Sequence, residues 1–160
     1  MVIKVGDSLP NASLKALGRD GLFDVAITEI CATGTTVIFA LPGAYTPQCS
    51  ARHLPGFLEL AEDFKARGVA RIICMSVNDA FVMDAWARHN HVHDKIIMLA
   101  DGNGVFARAT GQDLNARAYG MGVRSQRYAM VVKSGIITHF FVEEPGAFEV
   151  SAAAHVLSKL

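Results

Sequence analysis

One stretch, residues 35–50, constrains this chain more than any other. Thr35-Thr36-Val37-Ile38-Phe39-Ala40 is an apolar, β-branched run, the pattern of a buried strand. It breaks at Pro42-Gly43, and Thr46-Pro47 then reads as a helix start. The threonine hydroxyl is the expected cap, and Pro47 suits the first helical position, where a missing N–H costs nothing. Cys49 follows in the first turn, facing unpaired backbone N–H groups and the positive end of the helix dipole. Such a position stabilises thiolate over thiol and marks a reactive cysteine. The competing reading is a buried structural cysteine, the commoner fate of a free thiol. A strand, a Pro-Gly turn, a Thr-Pro start and a cysteine falling in succession favour the reactive one.

The chain has 160 residues, 51% of them hydrophobic, and a formal net charge of zero. That length fits one domain, residues 1–160, with a substantial core. No basic run or basic amphipathic helix points to a nucleic acid or an anionic membrane. No apolar stretch reaches the roughly 18–20 residues that span a bilayer, and the segment from Met1 to Asp7 has no signal-peptide pattern. Cys31, Cys49 and Cys74 are an odd number without tight spacing. They argue against a disulfide framework or a zinc knuckle and for a reducing compartment, so a cytoplasmic protein without metal or cofactor is expected.

Periodicity supplies the rest. Leu14–Leu17 and Leu22–Val25 suggest a hairpin, and Ala26–Ala32 a short helix. Leu54, Phe57, Leu58, Leu60, Ala61 and Phe64 have helical spacing ending at Gly68, with a kink or restart at Pro55. Val69–Val77 reads as a second buried strand. Asn78 or Asp79 caps a helix carrying Phe81, Val82, Ala85 and Trp86. Lys95–Ala100 is a third strand, and a short helix follows through Val105, Phe106 and Ala109. Arg127–Lys133 and Ile136–Val142 form a hairpin about Lys133-Ser134-Gly135. Ser151–Leu160 closes the chain as a helix. Alternating β and α units followed by a hairpin imply an α/β architecture, a mixed central sheet flanked by helices, of the thioredoxin-like fold.

The segments Leu41–Ser50, His53-Leu54-Pro55-Gly56-Phe57 and Ser76–Met83 resemble the type II, atypical peroxiredoxins. Leu99–Gly102 and Arg124–Val132 extend the likeness over nearly the whole chain. The resemblance implies a thiol peroxidase acting on hydrogen peroxide and organic hydroperoxides. By the family pattern Cys49 is the peroxidatic cysteine, Thr46 its hydroxyl partner, Pro42 a shield over the site and Arg127 the active-site arginine. The family usually has Phe where Tyr45 stands. On the residues alone, Arg124 and Arg127 are equal candidates.

Chemistry agrees with such a site. Lowering a thiol pKa from about 8.5 to about 6 raises the thiolate fraction at pH 7 at most about thirtyfold, while weakening the nucleophile. Enzymes accelerate reactions by about a million-fold or more, so most of the effect must come from donors aimed at the breaking O–O bond. The Thr46 hydroxyl, backbone N–H groups of the Cys49 turn and the Arg127 guanidinium are the candidates.

The sulfenic acid must then meet a second thiol. Family members place a resolving cysteine at the position of Cys74 or near the C-terminus, and Glu149–Ala153 contains none. Cys74 falls within a strand expected to be buried, and a disulfide needs Cα atoms within about 7 Å, so unless Cys74 starts close the Cys49 turn would have to unwind. An external thiol, glutathione with glutaredoxin, is therefore the expected reductant, and a Cys49–Cys74 disulfide recycled by thioredoxin the second possibility. Cys31 reads as structural.

Other features are set aside. His89, His91 and His93 recur at period two but fall where a helix ends, so they read as surface histidines rather than a metal site. His53, one turn after Cys49, reads as fixing the turn about Pro55, although it could approach the thiolate. Trp86, Phe81 and Val82 read as core. Tyr45, Phe81, Phe106 and residues 117–122 suggest an apolar rim that would serve, by family analogy, as a homodimer surface. A non-enzymatic redox sensor with the same thiol is the alternative function. A disulfide reductase is disfavoured, because Thr46 and Arg52 stand where a Cys-x-x-Cys partner would be.

Overall fold

The computed structural model describes residues 2–160; Met1 lies outside it. A seven-stranded mixed sheet runs in the order β2-β1-β5-β4-β3-β8-β9. Its middle is built from β3 (Thr35–Leu41), β4 (Val69–Ser76) and β5 (Ile97–Ala100), which are parallel. β8 (Tyr128–Lys133) lies antiparallel to β3 with Ala40 opposite Tyr128, and β9 (Ile136–Val142) pairs with β8. At the other edge, β1 (Ser13–Gly18) and β2 (Gly21–Ala26) form the expected N-terminal hairpin.

β3 is a continuous apolar run because both of its faces are covered. Val37, Phe39 and Leu41 point into one core with Cys49, Leu54, Phe57, Phe64, Cys74 and Trp86. Ile38 and Ala40 point into the other, with Ile27, Ile73, Leu99, Phe106, Tyr128 and Met130. The first core is roofed by α2 (Leu54–Glu59), α3 (Ala61–Ala66), α4 (Ala80–His89) and α6 (Ala153–Ser158). The second lies under α1 (Ile27–Ile30) and α5 (Val105–Ala109). Asp79 caps α4, accepting from Val82 N at 2.9 Å.

Two expectations need correction. A small second sheet, β6 (Asp113–Asn115) with β7 (Val123–Ser125), occupies a stretch in which sequence periodicity suggested no strand. Phe106 is fully buried and belongs to the second core, not to a surface rim, whereas Phe81, expected both in the core and on that rim, is 60% exposed. No helix of the described residues is long and apolar enough to cross a membrane.

Candidate active site

The site lies beyond the carboxyl end of β3, where open parallel sheets gather their ligands. After Leu41 the chain turns through residues 42–46. Asn78, just past β4, pins that turn: its Oδ1 accepts from Ala44 N at 2.9 Å and from Ser76 Oγ at 2.6 Å. Gly43 is packed so closely that a Cβ there would stand 3.1 Å from Arg124 Nη1 and 3.3 Å from Thr46 Cγ2. Tyr45 takes a left-handed φ of +66°, a strained choice for a side-chain-bearing residue, and its hydroxyl meets His89 Nδ1 at 3.1 Å.

Thr46 stands at the helix start but does not cap with its hydroxyl. The Oγ1 donates back to Gly43 O at 2.7 Å, while the Thr46 carbonyl accepts from Ser50 N at 3.0 Å. The helix begins at Pro47 as expected, then widens into a π turn over Cys49–His53, where Leu54 N–H donates to Cys49 O five residues back. The cause is Pro55. In a regular α-helix its ring would strike the carbonyl four residues earlier and leave it without a donor. The wider turn relieves that crowding, and α2 restarts at Leu54.

Cys49, in the first residue of this π turn, is fully buried. Arg127, immediately before β8, reaches it: Nη2 donates to Cys49 Sγ at 2.9 Å. The same guanidinium's Nη1 stands 2.8 Å from His53 Nδ1, and His53 Nε2 stands 3.1 Å from the Ser151 carbonyl. A carbonyl only accepts, so Nε2 carries the proton and Nδ1 presents its lone pair to the arginine. Burial first, and then the Arg127 charge, push the His53 pKa down to about 3 against the opposing Ser151 bond. The imidazole is therefore neutral at physiological pH. Its ring is wedged between Phe39, 5.0 Å away, and Phe148, edge-on at 5.1 Å. Phe148 in turn carries the Arg52 guanidinium 4.7 Å above its ring.

The structure thus unites Thr46, Cys49 and Arg127 in one turn and its facing strand end, with half-buried Pro42 at the end of β3. Arg124 is occupied elsewhere, donating to Met121 O at 2.8 Å and Val77 O at 3.2 Å. His53 does not fix the turn about Pro55; it bonds Arg127 and a carbonyl 98 residues away. Cys74 is fully buried on β4, in register with Phe39 and Met98 and in the same core as Cys49. Burial and the neighbouring Cys49 push its thiol pKa well up. Cys31 is buried as well, and all three cysteines are free. Among the described residues no His, Cys, Asp or Glu group is arranged to hold a metal, and His89, His91 and His93 are exposed. Sequence reasoning missed Asn78 as the pin of the turn, Phe148 against His53, and Glu143, a buried carboxylate that gathers residues 149–151.

A mixed sheet flanked by helices, with a cysteine under an arginine at the carboxyl end of its central strand, defines a thiol oxidoreductase of the thioredoxin-like fold. Comparison with known proteins sharpens the class. The Redoxin family model matches residues 4–157. Peroxiredoxin-2E, chloroplastic, of Arabidopsis thaliana is 41% identical over 162 residues, spanning 99% of this chain and 69% of that protein. The crystal structure of reduced Prx3 from Vibrio vulnificus in complex with H2O2 is 44% identical, with a TM-score of 0.95 over 99% of each chain. A Burkholderia cenocepacia crystal structure described as a candidate thioredoxin reductase is 47% identical, with a TM-score of 0.97 over 100% of this chain and 99% of that one. The chain belongs to the peroxiredoxins of the Redoxin family and is a thiol peroxidase. The reductase description does not carry over, since no cysteine stands within three residues of Cys49.

Proposed function

We propose that Cys49 is the peroxidatic residue and that it reduces hydrogen peroxide and organic hydroperoxides. The observation that carries this reading is the Arg127 guanidinium 2.9 Å from the Cys49 sulfur. The Cys49 thiolate attacks one peroxide oxygen, the O–O bond breaks, and the other oxygen leaves as hydroxide or alkoxide and takes up a proton. Sulfur is oxidised to sulfenic acid and the peroxide is reduced to water or alcohol. Arg127 donates to the Cys49 sulfur and offers N–H donors to the oxygen that gains charge during the attack. The bond to neutral His53 keeps the guanidinium plane fixed, so little reorganisation accompanies charge transfer. Thr46 and Pro42 complete the wall of the site. The Vibrio vulnificus relative with bound H2O2 supports the substrate assignment.

Resolution falls to an external thiol. Glutathione condenses with the sulfenic acid, releasing water, and a second thiol, delivered through glutaredoxin, exchanges with the mixed disulfide to restore Cys49. The raised pKa and full burial of Cys74 favour this route over a Cys49–Cys74 disulfide recycled by thioredoxin. A reducing compartment such as the cytoplasm suits a protein with three free cysteines. We also propose a homodimer through the face carrying Tyr45 and Phe81, which are 48% and 60% exposed and line one surface depression.

The test is rapid quenching of reduced protein with one equivalent of hydroperoxide, read by mass spectrometry with and without glutathione. Fast sulfenate at Cys49, captured by glutathione and turning over with excess thiol, is expected. Oxidation no faster than that of a free thiol overturns the peroxidase assignment of Cys49, and oxidation without turnover leaves a sensor.

A further inference from the structure

Glu143 is a buried carboxylate, 8% exposed, with no cationic partner in the ion pairs of the described residues. A charge in that position must be met by hydrogen bonds. Its Oε2 accepts from Glu149 N at 2.7 Å, Ser151 N at 2.9 Å and Ser151 Oγ at 2.6 Å, and its Oε1 accepts from Val150 N at 3.3 Å. Partial burial pushes its pKa up, but the bonds from Ser151, Glu149 and Val150 outweigh it and hold the carboxyl below its usual range. Glu143 N–H, meanwhile, donates to Arg127 O at 3.0 Å.

Both ends of Glu143 are therefore linked to Arg127, the backbone end directly at its carbonyl and the carboxylate end through Ser151 and His53. The backbone end holds the main chain of Arg127 just before β8. The carboxylate end gathers residues 149–151, and in doing so fixes the Ser151 carbonyl at 3.1 Å from His53 Nε2. That carbonyl, together with the donor-only arginine on the other ring nitrogen, sets the imidazole tautomer. With the proton held on Nε2, Nδ1 has only a lone pair to show, and Arg127 Nη1 can donate to it at 2.8 Å. Should the Ser151 carbonyl drift, Nε2 loses its acceptor and only the Arg127 N–H still opposes a proton on Nδ1. An N–H there would oppose the arginine's own N–H and displace Nη2 from the sulfur.

We propose that Glu143 is a positioning residue for peroxide reduction, holding Arg127 on Cys49 through Ser151 and His53. It touches neither the sulfur nor the peroxide. The proposal rests on Cys49 being the peroxidatic residue. The bland alternative is a loop anchor that seats α6 and has no bearing on the chemistry.

Glu143→Gln separates the two, because it keeps the size but turns one acceptor oxygen into a donor facing N–H groups. Four full-length proteins are compared in single-turnover oxidation by hydrogen peroxide: wild type, Glu143→Gln, His53→Asn and the double variant. Positioning predicts a loss of roughly tenfold for Glu143→Gln, the scale on which outer-shell partners act. It also predicts almost no further loss when Glu143→Gln is added to His53→Asn, since the relay is already cut. The 15N signals of His53 should show a single Nε2–H tautomer in wild type and a tautomer mixture in Glu143→Gln. Equal losses in both backgrounds, an unchanged rate, or an unaltered His53 tautomer would overturn the proposal. Failure of wild-type Cys49 to react rapidly is a separate result and defeats the underlying reading instead.

Discussion

Arg127 and Cys49 are 78 residues apart in the chain, and their Nη2 and Sγ atoms are 2.9 Å apart in the structure. The contact is possible because β8 runs antiparallel to β3, with Tyr128 opposite Ala40, which sets the residue before β8 beside the end of β3. The guanidinium uses one fork on sulfur and another on His53 Nδ1. A lysine keeps the charge but not the two-pronged geometry. Arg127→Lys is therefore expected to slow peroxide oxidation of Cys49 by about a hundredfold or more, the scale for loss of one donor to a developing negative charge. Stopped-flow intrinsic fluorescence with hydrogen peroxide reads this directly, and a rate within a factor of two of wild type removes Arg127 from the chemistry.

His53 ties the site to acid stability. Its folded-state pKa of about 3 lies below the ordinary value of 6.5. Below pH 6.5 the unfolded chain therefore binds a proton that the folded chain refuses. Stability from this group is fully present above pH 6.5 and falls by about 1.4 kcal/mol for each pH unit below it, until His53 itself titrates near pH 3. Urea unfolding at pH 7.5 and at pH 5 should differ by about 2 kcal/mol from this residue. In His53→Asn that part of the difference should vanish, although the variant is less stable at both pH values. A slope identical to that of wild type means that His53 is protonated in the fold.

Most of the sheet could be read from the residues, because β3, β4 and β9 are apolar runs long enough to show their pattern. The Cys49 turn was legible for the same reason: Pro42, Gly43, Thr46 and Pro47 act locally. What escaped is what depends on distant chain. β6 and β7 have three residues each, too few for any period to appear. The five-residue α5 gave no face by which to seat Phe106 in the core. The Thr46 hydroxyl was expected to cap, yet in this tight turn it bonds the Gly43 carbonyl. Arg127 was distinguished from Arg124 by family resemblance, since the two stand only three residues apart and neither carries a local signal of its own. Glu143 carries no local signal, because its meaning lies in an irregular loop that folds back on it.

Trp86 stakes the other side of the Cys49 turn. The ring is fully buried in α4, and its Nε1 donates to Ser50 Oγ at 3.0 Å. Trp86→Phe removes this donor and leaves a gap beside the π turn. A destabilisation of about 1–3 kcal/mol is expected from the lost bond and the unpaired hydroxyl. Faster hydrogen exchange should appear at Ser50 and Ala51, with α4 itself little changed. Unaltered exchange there shows that the turn is held without the indole.

Cys74 bears on how the oxidised enzyme returns to its thiol. It sits between Phe39 on β3 and Met98 on β5, wholly within the apolar core. Burial first, and then the nearby Cys49, push its pKa well up, so it stays a neutral thiol at physiological pH. Thiol exchange requires a thiolate, and a disulfide requires the two Cα atoms to lie within about 7 Å of each other. Cys74→Ala should thus leave glutathione-supported turnover within about twofold of wild type, while lowering stability by about 1 kcal/mol through lost packing. After one equivalent of peroxide without added thiol, mass spectrometry should find sulfenic acid or its over-oxidation products at Cys49. A Cys49–Cys74 disulfide under those conditions, together with lost turnover in Cys74→Ala, assigns Cys74 as the resolving thiol.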